Sequence, residues 1–225
     1  GALVVQGFIE LSAYNTEGAS EAFAAALKQD GSNALANLGQ GLALIREGNL
    51  EQGRAMLEQA AHSDPLVSLY RSYLAKAYYE EDKFVLADRE LEHAMSLDPE
   101  DPTPYLYRAY SNLTQHKPVA ALKDLQSSIE RNDNRAVFRS KLLLDQDQGT
   151  RSSGLGQIYK KVGFNELARV EAMKALQKDY SNYSAHFLLG DLYEGTHLNN
   201  RAQVTENIIG RLLVPVTFSS TDLNI

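Results

Sequence analysis

The sequence has no cysteine, few prolines and no long run of apolar or basic residues. Without cysteine there can be no disulfide, no thiolate zinc site and no cysteine nucleophile, and the redox compartment stays undetermined. No segment approaches about 18 consecutive apolar residues, so we expect no membrane insertion. The net charge of -7 and the pI near 5.3 argue against nucleic acid or an anionic membrane as the main partner.

What the sequence does contain is a pattern that returns every 34 residues. The matching pairs are Leu57 and Leu91, Ala60 and Ala94, Asp64 and Asp98, and Pro65 and Pro99. A period of this length is typical of solenoids built from helix pairs. The many Ala, Leu, Glu, Gln and Lys residues favour helix as well.

Small and large residues alternate within each period. Small residues end the first helices (Gly7, Gly41, Ala75, Ala109) and open the second helices (Ala19, Gly53, Ala87, Ala121), and large residues follow (Phe23, Leu57, Leu91, Leu125). Small residues let antiparallel helices approach closely, and large residues fill the space between successive pairs. The sequence therefore predicts an all-α solenoid of about six helix pairs.

Three segments carry a resemblance to a known family. They are Leu74-Ala75-Lys76-Ala77-Tyr78 (with Ala87, Leu91, Ala94 and Pro99 in phase), Leu155-Gly156-Gln157-Ile158-Tyr159 and Leu189-Gly190-Asp191-Leu192-Tyr193. The sequence resembles the tetratricopeptide repeat family over nearly its whole length, and this resemblance implies a right-handed superhelix that binds other proteins. Asn37 and Arg71 stand where the family has an aromatic residue, which predicts looser packing at those points.

The phase of the repeat predicts four segments. Units one to four span 1–135, and the fifth unit starts at Gly149, 13 residues late, so 136–148 is an insertion. Units five and six span 149–214, and 215–225 is a polar tail or linker. The chain begins inside a repeat and without a signal peptide, so we expect it to be a fragment of a longer protein.

Residues suited to chemistry are scattered. The five histidines form no i, i+4 pair, and we expect them on the surface or at helix ends. Asp145 and Asp147 are spaced like the start of a calcium loop, but Gly156 stands where the last ligand, a Glu, should be. We predict no catalytic residue, no metal and no cofactor.

The second, fifth, ninth and twelfth places of each first helix form a stripe, here called the inner stripe. In the tetratricopeptide repeat family, which the sequence resembles, this stripe lines the concave groove. It is apolar in the first four units and polar in the last two, where it includes Gln157, Lys160, Asp191 and Glu194. The predicted groove contacts are Phe8, Leu35, Leu38, Leu42, Leu69, Tyr79, Leu106, Tyr110 and Leu113. Phe138 and Leu143 of the insertion are predicted to cover this groove or to contact the partner.

Three interpretations of the inner stripe stay open. It is core, or a groove for an apolar peptide or helix, or a surface for self-association into a homo-oligomer. The predicted function is a non-catalytic scaffold whose partner is a protein, a peptide or another domain of the same polypeptide. The alternative is a substrate-recruiting arm of a larger enzyme such as a glycosyltransferase.

Two segments, 134–147 and 182–186, resemble the tetratricopeptide region of large bacterial proteins with a C-terminal outer-membrane β-barrel. This resemblance implies that the chain is the soluble module of a bacterial envelope protein. The implied location is the periplasm, with the cytoplasm as the alternative.

Overall fold

The computed structural model describes residues 1–131, 147–194 and 200–214. In these ranges there is no strand, and consecutive helices pack together in pairs. The twelve helices described are α1 (Ala2–Ser12), α2 (Thr16–Gln29), α3 (Ala34–Arg46), α4 (Leu50–Ser63), α5 (Ser68–Glu80), α6 (Phe84–Leu97), α7 (Pro102–Thr114), α8 (Pro118–Glu130), α9 (Asp147–Lys161), α10 (Asn165–Lys178), α11 (Tyr183–Tyr193) and α12 (Asn200–Leu213). The predicted all-α solenoid of helix pairs is confirmed.

None of the helices in the described ranges combines the length and the apolar character needed to cross a bilayer. The predicted insertion 136–148 lies outside these ranges except for its last two residues, which open α9. Phe138 and Leu143 lie outside them as well.

The turn inside each of the first five pairs contains one residue in the left-handed region. These residues are Tyr14 (φ 61°), Gly48 (87°), Asp82 (57°), His116 (58°) and Gly163 (85°). Glycine adopts this conformation without steric cost, whereas other residues lose about 1 kcal/mol. The first four turns are 34 residues apart, and the last interval is 47 residues. The same backbone reversal therefore makes each of these pairs antiparallel.

Phe23 shows how the small and large residues fit together. Its side chain is fully buried between α1 and α3, and its ring meets the Phe8 ring edge to face at 5.0 Å. A Cβ placed on Gly7 would lie 2.6 Å from the Phe23 ring, and one placed on Gly39 would lie 2.2 Å from it. Only glycine leaves room for the ring on both neighbouring helices.

The apolar core continues from the fourth pair into the fifth. Leu106 of α7 and Leu125 of α8 belong to the same buried cluster as Leu155 and Ile158 of α9. The apolar core therefore continues from α7 and α8 to α9.

Polar groups also join successive units. Asp101 is fully buried; its Oδ1 accepts a hydrogen bond from the Thr103 N–H at 2.8 Å and thereby caps α7. Its Oδ2 accepts one from the Ser68 hydroxyl of α5, also at 2.8 Å. The Ser128 hydroxyl of α8 donates to the Pro102 carbonyl at 2.8 Å. The turn between the third and fourth units is thus tied to helices on both sides.

The two places without the family's aromatic residue are closed by polar contacts. Asn37 is buried, and its amide donates to the carbonyls of Gly31 and Asn33, both at 3.2 Å. Arg71 is half-buried and pairs with Glu90 of α6 at 3.0 Å. Hydrogen bonds and an ion pair therefore stand at these places, although the Arg71 Nε is buried without a hydrogen-bond partner.

Candidate functional site

The fifth place of the inner stripe is core in the first five units. The residues there are Val4, Leu38, Ser72, Leu106 and Ser153, and each is at most 4% exposed. Val4 and Leu38 belong to the large core cluster of the first three pairs, and Leu106 belongs to the next cluster. We therefore assign this place to packing.

In the first two units the residue at the ninth place of the stripe is buried as well. Phe8 is 3% exposed and Leu42 is 6% exposed. Of the nine predicted groove contacts, Phe8, Leu38, Leu42 and Leu106 are thus buried within the chain and offer a partner no surface. Leu35, at the start of α3, is 37% exposed. A stripe of apolar residues at helical spacing does not reveal which of its members neighbouring helices cover, and in the first two units they cover the fifth and ninth places.

The other four predicted contacts lie on α5 and α7 and are partly exposed; they are here called the inner patch. It consists of Leu69, Tyr79, Tyr110 and Leu113, all of which are half-buried. Leu69 and Tyr110 pack against the large core cluster, and Tyr110 and Leu113 pack against the next one. Three of the four residues therefore pack against the core on one side, and the Tyr79 ring packs against the Phe84 ring of α6 at 6.1 Å.

Contacts between helices position the two tyrosines of the inner patch. The Tyr79 hydroxyl lies 2.7 Å from the Thr114 hydroxyl, which joins α5 to α7. Tyr110 lies over α9 at Gly154, where an added Cβ would be 3.0 Å from its hydroxyl oxygen. Both rings are consequently held in place at their outer ends.

Charged residues lie both within and beside the inner patch. On α5, Lys76 occupies the ninth place of the stripe and pairs with Glu80 at 3.0 Å. On the later units, Lys160 of α9 pairs with Asp191 of α11 at 2.7 Å. The sequence predicts that the stripe turns polar here, but not that these two residues, 31 positions apart, form an ion pair across neighbouring units.

Between the second and third units lies a cluster of charged groups that the sequence does not reveal. Arg54 of α4 binds Glu58 at 2.5 Å and Glu81 at 2.9 Å, and Lys83 also pairs with Glu81. Burial opposes ionisation of Glu81, but hydrogen bonds from Lys83 and Arg54 outweigh it, so the pKa of Glu81 is lowered. Burial raises the pKa of Tyr78 to about 12, helped by its hydrogen bond to Glu58.

One histidine lies at a helix end, in the first turn of α11, but is buried there. His186 is 1% exposed; its Nδ1 lies 2.5 Å from a Glu206 carboxylate oxygen, and its Nε2 lies 2.9 Å from the Tyr180 carbonyl oxygen. It joins α11 to α12, so its polar partners explain its burial. Within the described ranges no three His, Asp or Glu side chains are grouped so that they could hold a metal ion.

A sequence model of one family matches this chain. The tetratricopeptide repeat model matches residues 10–66 and again 38–102. None of the curated proteins matches the chain in sequence.

Solved structures show the same fold over most of the chain. A chain of the APC/C hetero-tetramer Cut9–Hcn1 superposes with a TM-score of 0.77 at 15% identity, over 95% of this chain and 40% of that one. This chain thus spans less than half the length of that structure. Pseudomonas aeruginosa pilF gives a TM-score of 0.64 at 19% identity, over 96% of this chain and 91% of its own. A thermophilic protein of Thermus thermophilus, TTC0263, gives 0.68 at 15% identity, over 81% and 93%.

At these identities the structures establish the fold alone, and the sequence match establishes the relationship. The fold is that of protein–protein interaction scaffolds, which are generally non-catalytic. Residues 10–102 match the tetratricopeptide repeat family in sequence, and the described ranges as a whole have the fold of that family's solved structures.

Proposed function

We propose that the inner patch binds an apolar peptide or the apolar face of a helix from a protein partner. The observation that carries this proposal is that Leu69, Tyr79, Tyr110 and Leu113 stay half-open on a face whose core is already filled by fifth-place residues. Three of these side chains pack against the core on one side and remain partly exposed on the other. A partner that covers them gains about 25 cal/mol for each Å² of apolar surface removed from water.

The chemistry of the patch favours one kind of partner. Tyrosine side chains contribute large apolar area and a hydroxyl group, and they are frequent among residues that dominate binding energy. The Tyr79 and Thr114 hydroxyls lie at the outer edge of the patch, where they can also reach polar groups of a bound backbone. A short segment with two or three apolar side chains at helical or alternating spacing fits these properties.

The charged residues of the later units determine which end of the partner is polar. Beyond α7 the stripe continues with Gln157, Lys160 and Asp191, and the last two form an ion pair. Burying this pair under apolar groups would remove both charges from water at considerable cost. The apolar part of the partner therefore covers the apolar residues of α5 and α7 and leaves the Lys76–Glu80 pair in water, and its polar part faces α9 and α11.

Selection from a phage-displayed library of random 16-residue peptides tests the proposal. We expect enriched peptides to contain two or three large apolar residues and to bind the purified chain in fluorescence anisotropy. Changing Leu69 and Leu113 together to Glu should weaken this binding at least tenfold, about 1.4 kcal/mol, because it adds charge where apolar surface is buried.

The matched control is Val119→Glu, since Val119 is 77% exposed at the start of α8 and lies outside the inner stripe. Far-UV circular dichroism of all variants must match that of the natural chain. Equal binding by the double variant, or loss of binding in the Val119 variant alone, would place the binding surface elsewhere.

The location proposed for this scaffold is the bacterial periplasm, as the soluble module of a larger envelope protein. Its support is the resemblance of 134–147 and 182–186 to bacterial proteins of that kind. Within the second segment, Asn182 caps α11 and His186 is buried. Immunoblots of periplasmic and cytoplasmic fractions from the source cell would decide, and recovery with cytoplasmic markers would overturn the proposal.

A further inference from the structure

Helix α10 carries large apolar residues on the side that faces away from the solenoid. Leu167, Val170 and Met173 are 48%, 43% and 47% exposed. The buried face of the helix is made of Ala168, Ala172 and Ala175, which are fully buried. The three large residues follow one another at a spacing of three and therefore share one helical face.

The stack itself does not require this apolar face. Earlier second helices have other residue types at the same three places of the repeat. The place of Val170 is taken by Glu21, Ala55, Arg89 and Lys123, and that of Met173 by Ala24, Glu58, Glu92 and Gln126; the place of Leu167 is taken by Gly18, Gln52, Leu86 and Ala120. None of these helices has large apolar side chains at all three places, so the face on α10 calls for a separate explanation.

The sequence of α10 is complementary to itself when it is reversed about Val170. In the segment 166–174, which reads Glu-Leu-Ala-Arg-Val-Glu-Ala-Met-Lys, Glu mirrors Lys, Leu mirrors Met, Ala mirrors Ala and Arg mirrors Glu. When two copies of a helix pack antiparallel around a twofold axis, a residue before the central one meets the residue equally far behind it in the other copy. Every pair produced in this way is apolar with apolar or acidic with basic.

We propose that this face is an interface between two copies of the chain, with α10 packed antiparallel against α10 of the second copy and the twofold axis at Val170. Leu167 then packs on Met173 of the partner subunit, and Val170 packs on Val170 of the partner subunit. Glu166 faces Lys174 of the partner subunit on both sides of the axis. The interface is isologous and closed, so it gives a dimer and no larger polymer.

The charges on α10 are compatible with this pairing. Within one chain Arg169 pairs with Glu166 at 2.5 Å and Lys174 pairs with Glu171 at 2.7 Å. The face is therefore electrically neutral, although the chain carries a net charge of -7, and two copies can approach through it without strong repulsion. Glu166 and Lys174 have side chains that are 82% and 56% exposed, so both are able to turn toward a second copy.

The apolar surface extends beyond α10 but remains small. Val204 of α12 stands at the place of Val170 one unit later and is 55% exposed, and Ile208 is 52% exposed. A surface of so few apolar residues favours a weak and reversible dimer. The proposal stands apart from the inner patch, because none of these residues lies on the inner stripe.

Sedimentation velocity over a wide range of protein concentration tests the dimer. We expect the natural chain to pass from monomer to dimer as its concentration rises. Val170→Glu brings two like charges together on the axis and should raise the dissociation constant at least tenfold. Lys123→Glu, at the same place of the repeat on α8, is the matched control and should leave the dissociation constant unchanged.

Charge reversal distinguishes this geometry from other modes of dimerisation. Glu166→Lys and Lys174→Glu should each weaken self-association, because each places like charges opposite one another. An equimolar mixture of these two variants should form a heterodimer, since every facing pair is then again acidic with basic. Because the chain has no cysteine, Val170→Cys should also give a disulfide-linked dimer on mild oxidation, whereas Lys123→Cys should not.

The proposal requires a dimer at high concentration, its loss in Val170→Glu and its recovery in the mixture of the two charge variants. A chain that stays monomeric at every concentration overturns it, as does a dimer that Val170→Glu leaves intact. A dimer that is lost in both charge variants and not recovered in their mixture overturns the antiparallel arrangement. Circular dichroism of each variant shows whether the helices are retained, so misfolding cannot be mistaken for dissociation.

Discussion

Replacing Phe23 and the glycine that faces it tests how the units are joined. Phe23 is fully buried, and its ring occupies the space in front of Gly7 and Gly39. Phe23→Ala should lower the free energy of unfolding by about 3–5 kcal/mol, the usual range for a buried phenylalanine. The edge-to-face contact with Phe8 at 5.0 Å places the loss in the upper part of that range.

Enlarging Gly39 to alanine should also be costly, but only while the Phe23 ring is present. With Phe23 in place, Gly39→Ala puts a methyl carbon 2.2 Å from the ring and should cost about 1–3 kcal/mol. With alanine at position 23, the same change should stabilise the chain by about 0.5–1 kcal/mol, since alanine is favoured over glycine inside a helix. The sign of the effect therefore depends on the partner.

Urea denaturation followed by far-UV circular dichroism measures the four free energies of this double-mutant cycle. Because a repeat protein can unfold in parts, hydrogen exchange of α1 to α3 should be recorded as well. The matched control is Val119→Ala, where the side chain is 77% exposed and little change is expected. If Gly39→Ala has the same effect with Phe23 as without it, the ring does not occupy the space in front of Gly39 and the packing argument fails.

Three further predictions follow from single features. His116→Gly should raise the free energy of unfolding by up to about 1 kcal/mol, because glycine adopts the φ of 58° at residue 116 without steric cost, whereas His116→Ala should not; thermal denaturation compares them. Leu42→Glu should abolish the cooperative unfolding transition because Leu42 is 6% exposed, whereas Leu113→Glu should keep it. Since burial raises the pKa of Tyr78 to about 12 from the ordinary value near 10, the folded state keeps its proton longer, and this stabilisation is lost as the pH rises from about 10 toward 12. Tyr78→Phe should therefore lose less stability than the natural chain between pH 9 and pH 11, and equal losses would contradict the assignment.

The sequence predicts the fold well because its signal is local and repeated. Small residues such as Gly41 and Gly53 mark where helices cross, and a Cβ on Gly41 would lie 2.8 Å from the Gly53 carbonyl oxygen. Phe23 and its equivalents mark the space between pairs. Each unit repeats the same relation, so the helix pairs can be assigned without knowing any distance.

The inner stripe is predicted less well because its burial depends on the side chains that neighbouring helices place over it. Helical spacing places Leu42 and Tyr110 at the same place of the repeat, yet Leu42 is buried and Tyr110 is half-open. The contact between His186 and Glu206, 20 residues apart, is equally hidden, because no repeated pattern links these two residues. The segment boundaries, the roles of Phe138 and Leu143, and the compartment stay predictions.

The buried carboxylate of Asp101 limits how freely this array can be cut. It caps α7, and it accepts a hydrogen bond from Ser68 in the preceding unit. A shortened protein that ended just before residue 101 would leave the Ser68 hydroxyl without this partner, and one that began just after it would leave α7 uncapped. The third and fourth units are consequently a single inseparable module, and truncations or chimeras made from this chain should keep 68–131 in one piece.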